Sequence, residues 1–242
     1  MGKEKESTPA RICEKNTPLS LPVLDLRGGR DEILRYFQNT WELTEILFSS
    51  LASQEAFYRR PYHKTRHPLI FYYAHPVCFY VNKLLVSGLL QNPVNSDFEL
   101  LFETGVDEMT WDDLHENDQE VWPTLSDVQD YRKQVYNIVT DLIRVNPAFD
   151  EPITQEKATW SLVMAFEHER IHLETSSVLI RELPLDLVKK PKEWPEYFEE
   201  IDFLEQEAQP DINYRKNQFT RVGSSSVQLG KPNDWPTFGW DN

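Results

Sequence analysis

The sequence predicts an all-α protein: a four-helix bundle followed by a short irregular or β-type C-terminal stub. Two observations predict it. Apolar residues recur at three- and four-residue steps in four long segments, and strand-type alternation is confined to Val222–Gly230. In the first helix, Ile33, Phe37, Trp41, Thr44, Leu47, Phe48 and Leu51 share a face. Asp31 and Glu32 fall in its first turn, where carboxylates complement the helix dipole. The second begins near Pro68, since proline is tolerated at the first helical position. Phe71, Tyr72, His75, Phe79, Asn82 and Val86 share its face, and Pro76 is expected to bend it by withholding the donor for the Tyr72 carbonyl. The third covers about 126–145, with Val128, Tyr131, Val135, Ile138, Val139 and Leu142 as its stripe and Asn146-Pro147 as its stop. The fourth covers about 154–183 and stops at Pro184, with a short amphipathic piece over 195–207.

Three units are expected from these patterns. Residues 1–29 are polar, carry Pro9, Pro18 and Pro22, and end in Gly28-Gly29, the signature of a flexible tail. Residues 30–209 form the bundle, and after Pro210 the composition changes, setting 210–242 apart. The connection 92–123 is long and acidic, so one pair of neighbouring helices is not joined by a tight turn. Its acidic run from Glu108 to Glu120 lacks EF-hand spacing and is expected to be solvated, with Met109, Trp111 and Leu114 packing as a lid.

Charge and composition exclude several functions. The 242 residues carry a formal charge of −15, the wrong sign for coating nucleic acid or docking on anionic lipid. Two cysteines, Cys13 and Cys78, make no disulfide framework, and the start of the chain has no secretory signal, so a reducing cytoplasm is expected. The most apolar run, Leu69–Val81, is short for a bilayer span and contains His75 and Pro76, so it is expected inside protein. Phosphate-binding glycine loops, the serine nucleophile elbow and zinc-finger cysteines are absent.

Chemistry concentrates in the fourth helix. His168 and His172 lie ~40° apart at ~100° per residue, so both rings can reach one ion. Their arc also holds Ser161, Met164, Ala165, Ile171, Thr175 and Leu179, which directs them inward. Glu174 lies ~200° from His172 and points elsewhere, while Glu167 and Glu169 flank the arc and face solvent or other helices. His75, in the most apolar segment, is the best third ligand, whereas His63 and His67 fall in a basic, solvated stretch. Three imidazoles leave coordination positions open, as a reactive metal site does, and suit iron or zinc. The competing reading is a set of hydrogen-bonded core histidines.

The segments His168-x-x-x-His172-x-Glu174, His67-Pro-Leu-Ile-Phe-Tyr-Tyr-Ala-His75-Pro76 and Val106-Asp-Glu-Met-Thr-Trp111-Asp-Asp113 together resemble the sulfoxide synthases of ovothiol and ergothioneine biosynthesis, most closely the 5-histidylcysteine sulfoxide synthase type. The resemblance spans roughly residues 25–242. It implies a DinB-like bundle in which His75, His168 and His172 hold non-haem iron(II), with Glu174 outside the ligand set. It also implies oxygen-dependent joining of the sulfur of cysteine, or a related thiol, to the imidazole of histidine or a derivative. Such proteins continue into a formylglycine-generating-enzyme-like domain, whose opening strands Ser226–Gly230 and Phe238–Asn242 resemble. With little of that domain in this sequence, no catalytic side chain is assigned and little or no sulfoxide is expected from this chain alone. The alternatives are a stand-alone metal- or thiol-binding module and a zinc-dependent thiol transferase.

Overall fold

The computed structural model describes residues 21–63, 66–103, 122–194, 219–227, 229–232 and 234–240. Four long helices form the frame: α1 (Arg30–Phe48), α3 (Leu69–Val86), α5 (Leu125–Val145) and α6 (Trp160–Arg181). Two short ones, α2 (Gln54–Tyr58) and α4 (Ser96–Leu101), sit in the connections. α6 packs on α3 and on α1, and α5 packs on the same two helices, so the four close into a ring with α1 diagonal to α3. The expected all-α bundle is therefore present, and no strand occurs among the described residues.

Each helix starts and stops for local reasons. α1 begins after Gly29 with Asp31 and Glu32 in its first turn. At its end the Ser49 and Ser50 hydroxyls donate to the Ile46 and Leu47 carbonyls of the last turn. Thr124 caps α5 by accepting from the Asp127 N–H at 3.2 Å. α6 begins at Trp160 rather than near Thr154: Lys157, Trp160 and Ser161 donate to carbonyls three residues back, which makes turns rather than helix. α3 runs unbroken through Pro76.

α3 is the centre of the molecule. It is the helix among the described residues with the length and apolarity to cross a membrane, yet 72% of it is buried inside the bundle. Val86, at its last turn, is exposed rather than on the inner face. Around it Phe37 packs against Trp41, Tyr80, Tyr136 and Phe166, joining all four long helices through aromatic contacts. Leu24 and Leu26, in the segment grouped with the tail, are buried, and the Leu26 N–H donates to the Pro236 carbonyl. Phe238 stacks against Trp160 at 4.8 Å. The described part of Val222–Gly230 is irregular and exposed rather than paired as a strand. Residues 1–20, the acidic run, the Met109–Leu114 lid and the 195–207 piece lie outside the described residues.

Candidate metal centre

The closest helix pairing, α3 with α6, brings three imidazoles together. His75 comes from the first half of α3, and His168 and His172 from adjacent turns of α6. One ring nitrogen from each lies within 4.8 Å of the others. The ring centroids stand 5.0 Å (His75–His168), 4.8 Å (His75–His172) and 4.5 Å (His168–His172) apart, and all three pairs are edge-to-face. No other group of three histidine, cysteine, aspartate or glutamate side chains among the described residues offers such a cluster.

The nitrogens are set up to share a cation. Nε2 of His168 and Nε2 of His172 face each other at 3.1 Å. Two nitrogens bonded to one ion at about 2.1 Å and at right angles would be about 3.0 Å apart, so this spacing already suits one ion. Nδ1–H of His75 donates to the Phe102 carbonyl at 2.6 Å, which leaves its Nε2 lone pair for the cluster. His172 Nδ1 is 3.5 Å from the Thr175 hydroxyl. His168 Nδ1 is buried and has no hydrogen-bond partner among the described residues. That ring is held instead by Phe79, stacked at 3.9 Å with 18° between planes. Phe71 stacks on His75 in the same way, at 5.0 Å and 15°.

Burial keeps the rings neutral. Desolvation, helped by the neighbouring His172, His75 and Lys83, pushes His168 down to about 2. Desolvation, with His75 and Arg66, pushes His172 down to about 3. His75 is also lowered by burial, against the opposing effect of its Phe102 hydrogen bond. Neutral imidazole is the form that binds a metal, so at physiological pH no proton competes.

The helical arithmetic of α6 requires one correction. Its core face is Leu162, Ala165, Phe166, Glu169, Leu173, Ser176 and Ile180, centred roughly 90° from the two histidines. His168 and His172 therefore sit at the flank of that face, where α6 meets α3, and are half-buried rather than interior. Ile171, expected inward, is exposed, and Glu174 is exposed as its angle requires. Of the two surroundings expected for Glu169, solvent or other helices, the second holds: it is 1% exposed and accepts from Thr44 and Tyr80, both at 2.7 Å. His63 is solvated and pairs with Glu182 at 3.6 Å. His67, grouped with it in a solvated stretch, is half-buried instead, packed on Phe71 at 4.4 Å and against Trp122 at 5.6 Å. His115 lies outside the described residues.

Sequence reasoning missed Phe102; it placed Phe79 on the face of His75 and Glu169 toward solvent or other helices, with a role for neither. Phe102 acts through a backbone carbonyl and leaves no signal in the sequence. Glu169 does leave one, because it is a carboxylate at the centre of the apolar stripe of α6. Residues 36–176 match the DinB superfamily, a span that contains all three histidines. No curated protein matches the chain.

Proposed function

This chain belongs to the DinB superfamily, and from that premise we propose that it is the iron-binding part of a sulfoxide synthase of thiol-histidine, ovothiol-type, biosynthesis, acting in the cytoplasm. The observation that carries the metal reading is the convergence of His75, His168 and His172 within 4.8 Å. The finer assignment is supported by the three ordered segments, His67–Pro76, Val106–Asp113 and His168–Glu174. The substrates of this reading are cysteine or a related thiol, histidine or a derivative, and oxygen.

His75, His168 and His172 would hold iron(II) through three neutral nitrogens. When bound, iron(II) supplies a centre at which a thiol sulfur and oxygen can attach. The chain's own residues prepare that centre. Phe102 fixes the tautomer of His75 through its carbonyl. Phe71 and Phe79 fix ring planes by stacking and exclude water from the apolar side. Tyr72, 4% exposed, stands with its ring 6.1 Å from that of His172.

The test is anaerobic iron(II) reconstitution with elemental analysis. One iron per chain is expected, lost in the triple variant His75→Ala/His168→Ala/His172→Ala, with a visible spectral change when cysteine is added to the parent. Equal iron in parent and triple variant sinks the metal reading. Retention of zinc in preference to iron, with no cysteine-dependent oxygen uptake when a formylglycine-generating-enzyme-like domain is supplied, transfers the assignment to a zinc-dependent thiol transferase.

A further inference from the structure

We propose that His168 is the exchangeable ligand of the three, positioned by stacking on Phe79 rather than by a hydrogen bond, so that the centre is a firm pair, His75 and His172, with one yielding arm. The inference rests on the metal reading above and adds a rank order to it. The far nitrogen of each ring sets the rank. A metal-binding imidazole gains donor strength and a fixed orientation when its other N–H is hydrogen-bonded. Nδ1–H of His75 has the Phe102 carbonyl at 2.6 Å, in the backbone just past α4. Nδ1 of His172 has the Thr175 hydroxyl at 3.5 Å, the limit of hydrogen-bond length. Nδ1 of His168 is buried and meets no partner among the described residues, while Nε2 of the same ring faces Nε2 of His172 at 3.1 Å. With Nε2 given to an ion, Nδ1 must carry the ring's proton, and that proton stays unpaired in a place closed to solvent.

Phe79, one turn after His75 on α3, is what orients His168: the ring centroids are 3.9 Å apart and the planes 18° from parallel. A stack leaves a ring free to slide within its own plane, whereas a hydrogen bond fixes a point and a direction. His75 has both, since Phe71 stacks on it at 5.0 Å and 15° and the Phe102 carbonyl anchors it. Lys83, a further turn along α3, holds its ammonium 4.9 Å from the centre of the Phe79 ring. That charge draws on the electron density of the ring that backs His168. It also opposes a cation at the His168 corner, and it stands two helical turns along the chain from His75. The missing anchor, the sliding contact and the nearby cation all fall on one ligand. Exchange there trades one lone pair for another: Nε2 of His168 lets go as a guest's donor atom takes hold, the freed ring stays neutral against Phe79, and no electron moves. His75 and His172 keep their places throughout.

The test uses the full chain loaded with zinc(II) or cobalt(II), and its first arm needs no substitution. In nitrogen-labelled, zinc-loaded protein the Nδ1–H proton of His75 should resonate far downfield, as one in a short hydrogen bond does, and that of His168 well upfield of it. Chelator competition gives the cobalt Kd: His75→Ala should raise it at least about tenfold further than His168→Ala does. Free imidazole should restore the parental cobalt spectrum to His168→Ala, because Phe79 still offers its face, and should fail in His168→Ala/Phe79→Leu. Phe79→Leu alone should speed cobalt release to a chelator by up to about tenfold, with Phe79→Tyr close to the parent. Lys83→Met should slow release about threefold. The inference is overturned by an Nδ1–H of His168 as far downfield as that of His75, by equal losses in the two alanine variants, by imidazole rescue that ignores Phe79, or by release rates that neither Phe79→Leu nor Lys83→Met moves. Any of these with cobalt bound to the parent leaves the metal reading standing, whereas a parent that takes up neither ion overturns both.

Discussion

At the scale of single residues, the molecule places charge and polarity where apolar packing alone would have served. Glu169 sits on the core face of α6 and accepts from Thr44 of α1 and Tyr80 of α3. Burial pushes its carboxyl up, while the Arg132 charge and the two hydroxyls pull the other way. Arg132 of α5, 2% exposed, donates to Glu45 at 2.7 and 3.0 Å and to the Tyr73 carbonyl at 2.6 Å. Its guanidinium also lies over the rings of Trp41 and Tyr73 at 4.4 and 4.1 Å. One helix each thus contributes a partner that the others must satisfy, which fixes how the four helices face one another. Tyr80→Phe removes one donor and leaves a buried carboxylate oxygen unmet, so it should cost about 1–3 kcal/mol in urea unfolding. Metal uptake should be untouched, because Glu169 points roughly 100° away from His168 on the helix. A variant with parental stability would show that the hydroxyl contributes nothing.

At the scale of elements, the small helix α4 matters more than its six residues suggest. A helix this short does not hold itself together. Asn95 caps it by accepting from Asp97 and Phe98, both at 3.2 Å, and Glu99 reaches back to accept from Val94 and Asn95 at 2.8 and 2.9 Å. The reward is the position of Phe102, just past its end, whose carbonyl receives His75. Asn95→Ala should therefore weaken metal affinity, by up to about tenfold, as loss of an outer partner of a metal-binding histidine does. Thr124→Ala removes a comparable cap from α5 and should cost about 1 kcal/mol of stability with no change in metal affinity. Isothermal titration of the two variants separates the effects; equal metal affinity in both would break the proposed link from α4 to His75. This is also where the sequence stopped being legible. The stripes of α1 and α5 can be counted off the chain, as Ile33 to Phe48 and Val128 to Val139 show, because each buries one face. α3 is buried all round, so its apolar run announces a core helix without saying which side meets α6. The histidine spacing identifies candidates, but the partner of His75 is a main-chain carbonyl 27 residues away, set by tertiary packing alone.

At the scale of the whole molecule, the fold holds several histidines in a form that the unfolded chain would not keep. The chain has six, and burial lowers four of them: His67, His75, His168 and His172. An unfolded imidazole takes up its proton near pH 6.5, whereas His168 and His172 in the fold resist until about 2 and about 3. Between those values the unfolded state binds more protons, so stability rises with pH; it is complete above about 6.5 and is lost as pH falls below it. Each such histidine contributes about 1.4 kcal/mol per pH unit at the limiting slope, so these two alone should remove about 4 kcal/mol between pH 7 and pH 5. His67 and His75, lowered in the same direction, add to the loss in this window. Against a typical total of about 5–15 kcal/mol, a loss of that size is readily measured. Urea midpoints of the metal-free protein at pH 7, 6 and 5 should fall steadily, and His168→Phe should flatten the slope by about half of that contribution. Bound metal strengthens the dependence, since the cation is held only by the fold and is released with it. A midpoint that stays level from pH 7 to 5 would mean that the imidazoles are protonated in the folded protein, and a cluster of cationic rings cannot hold a cation.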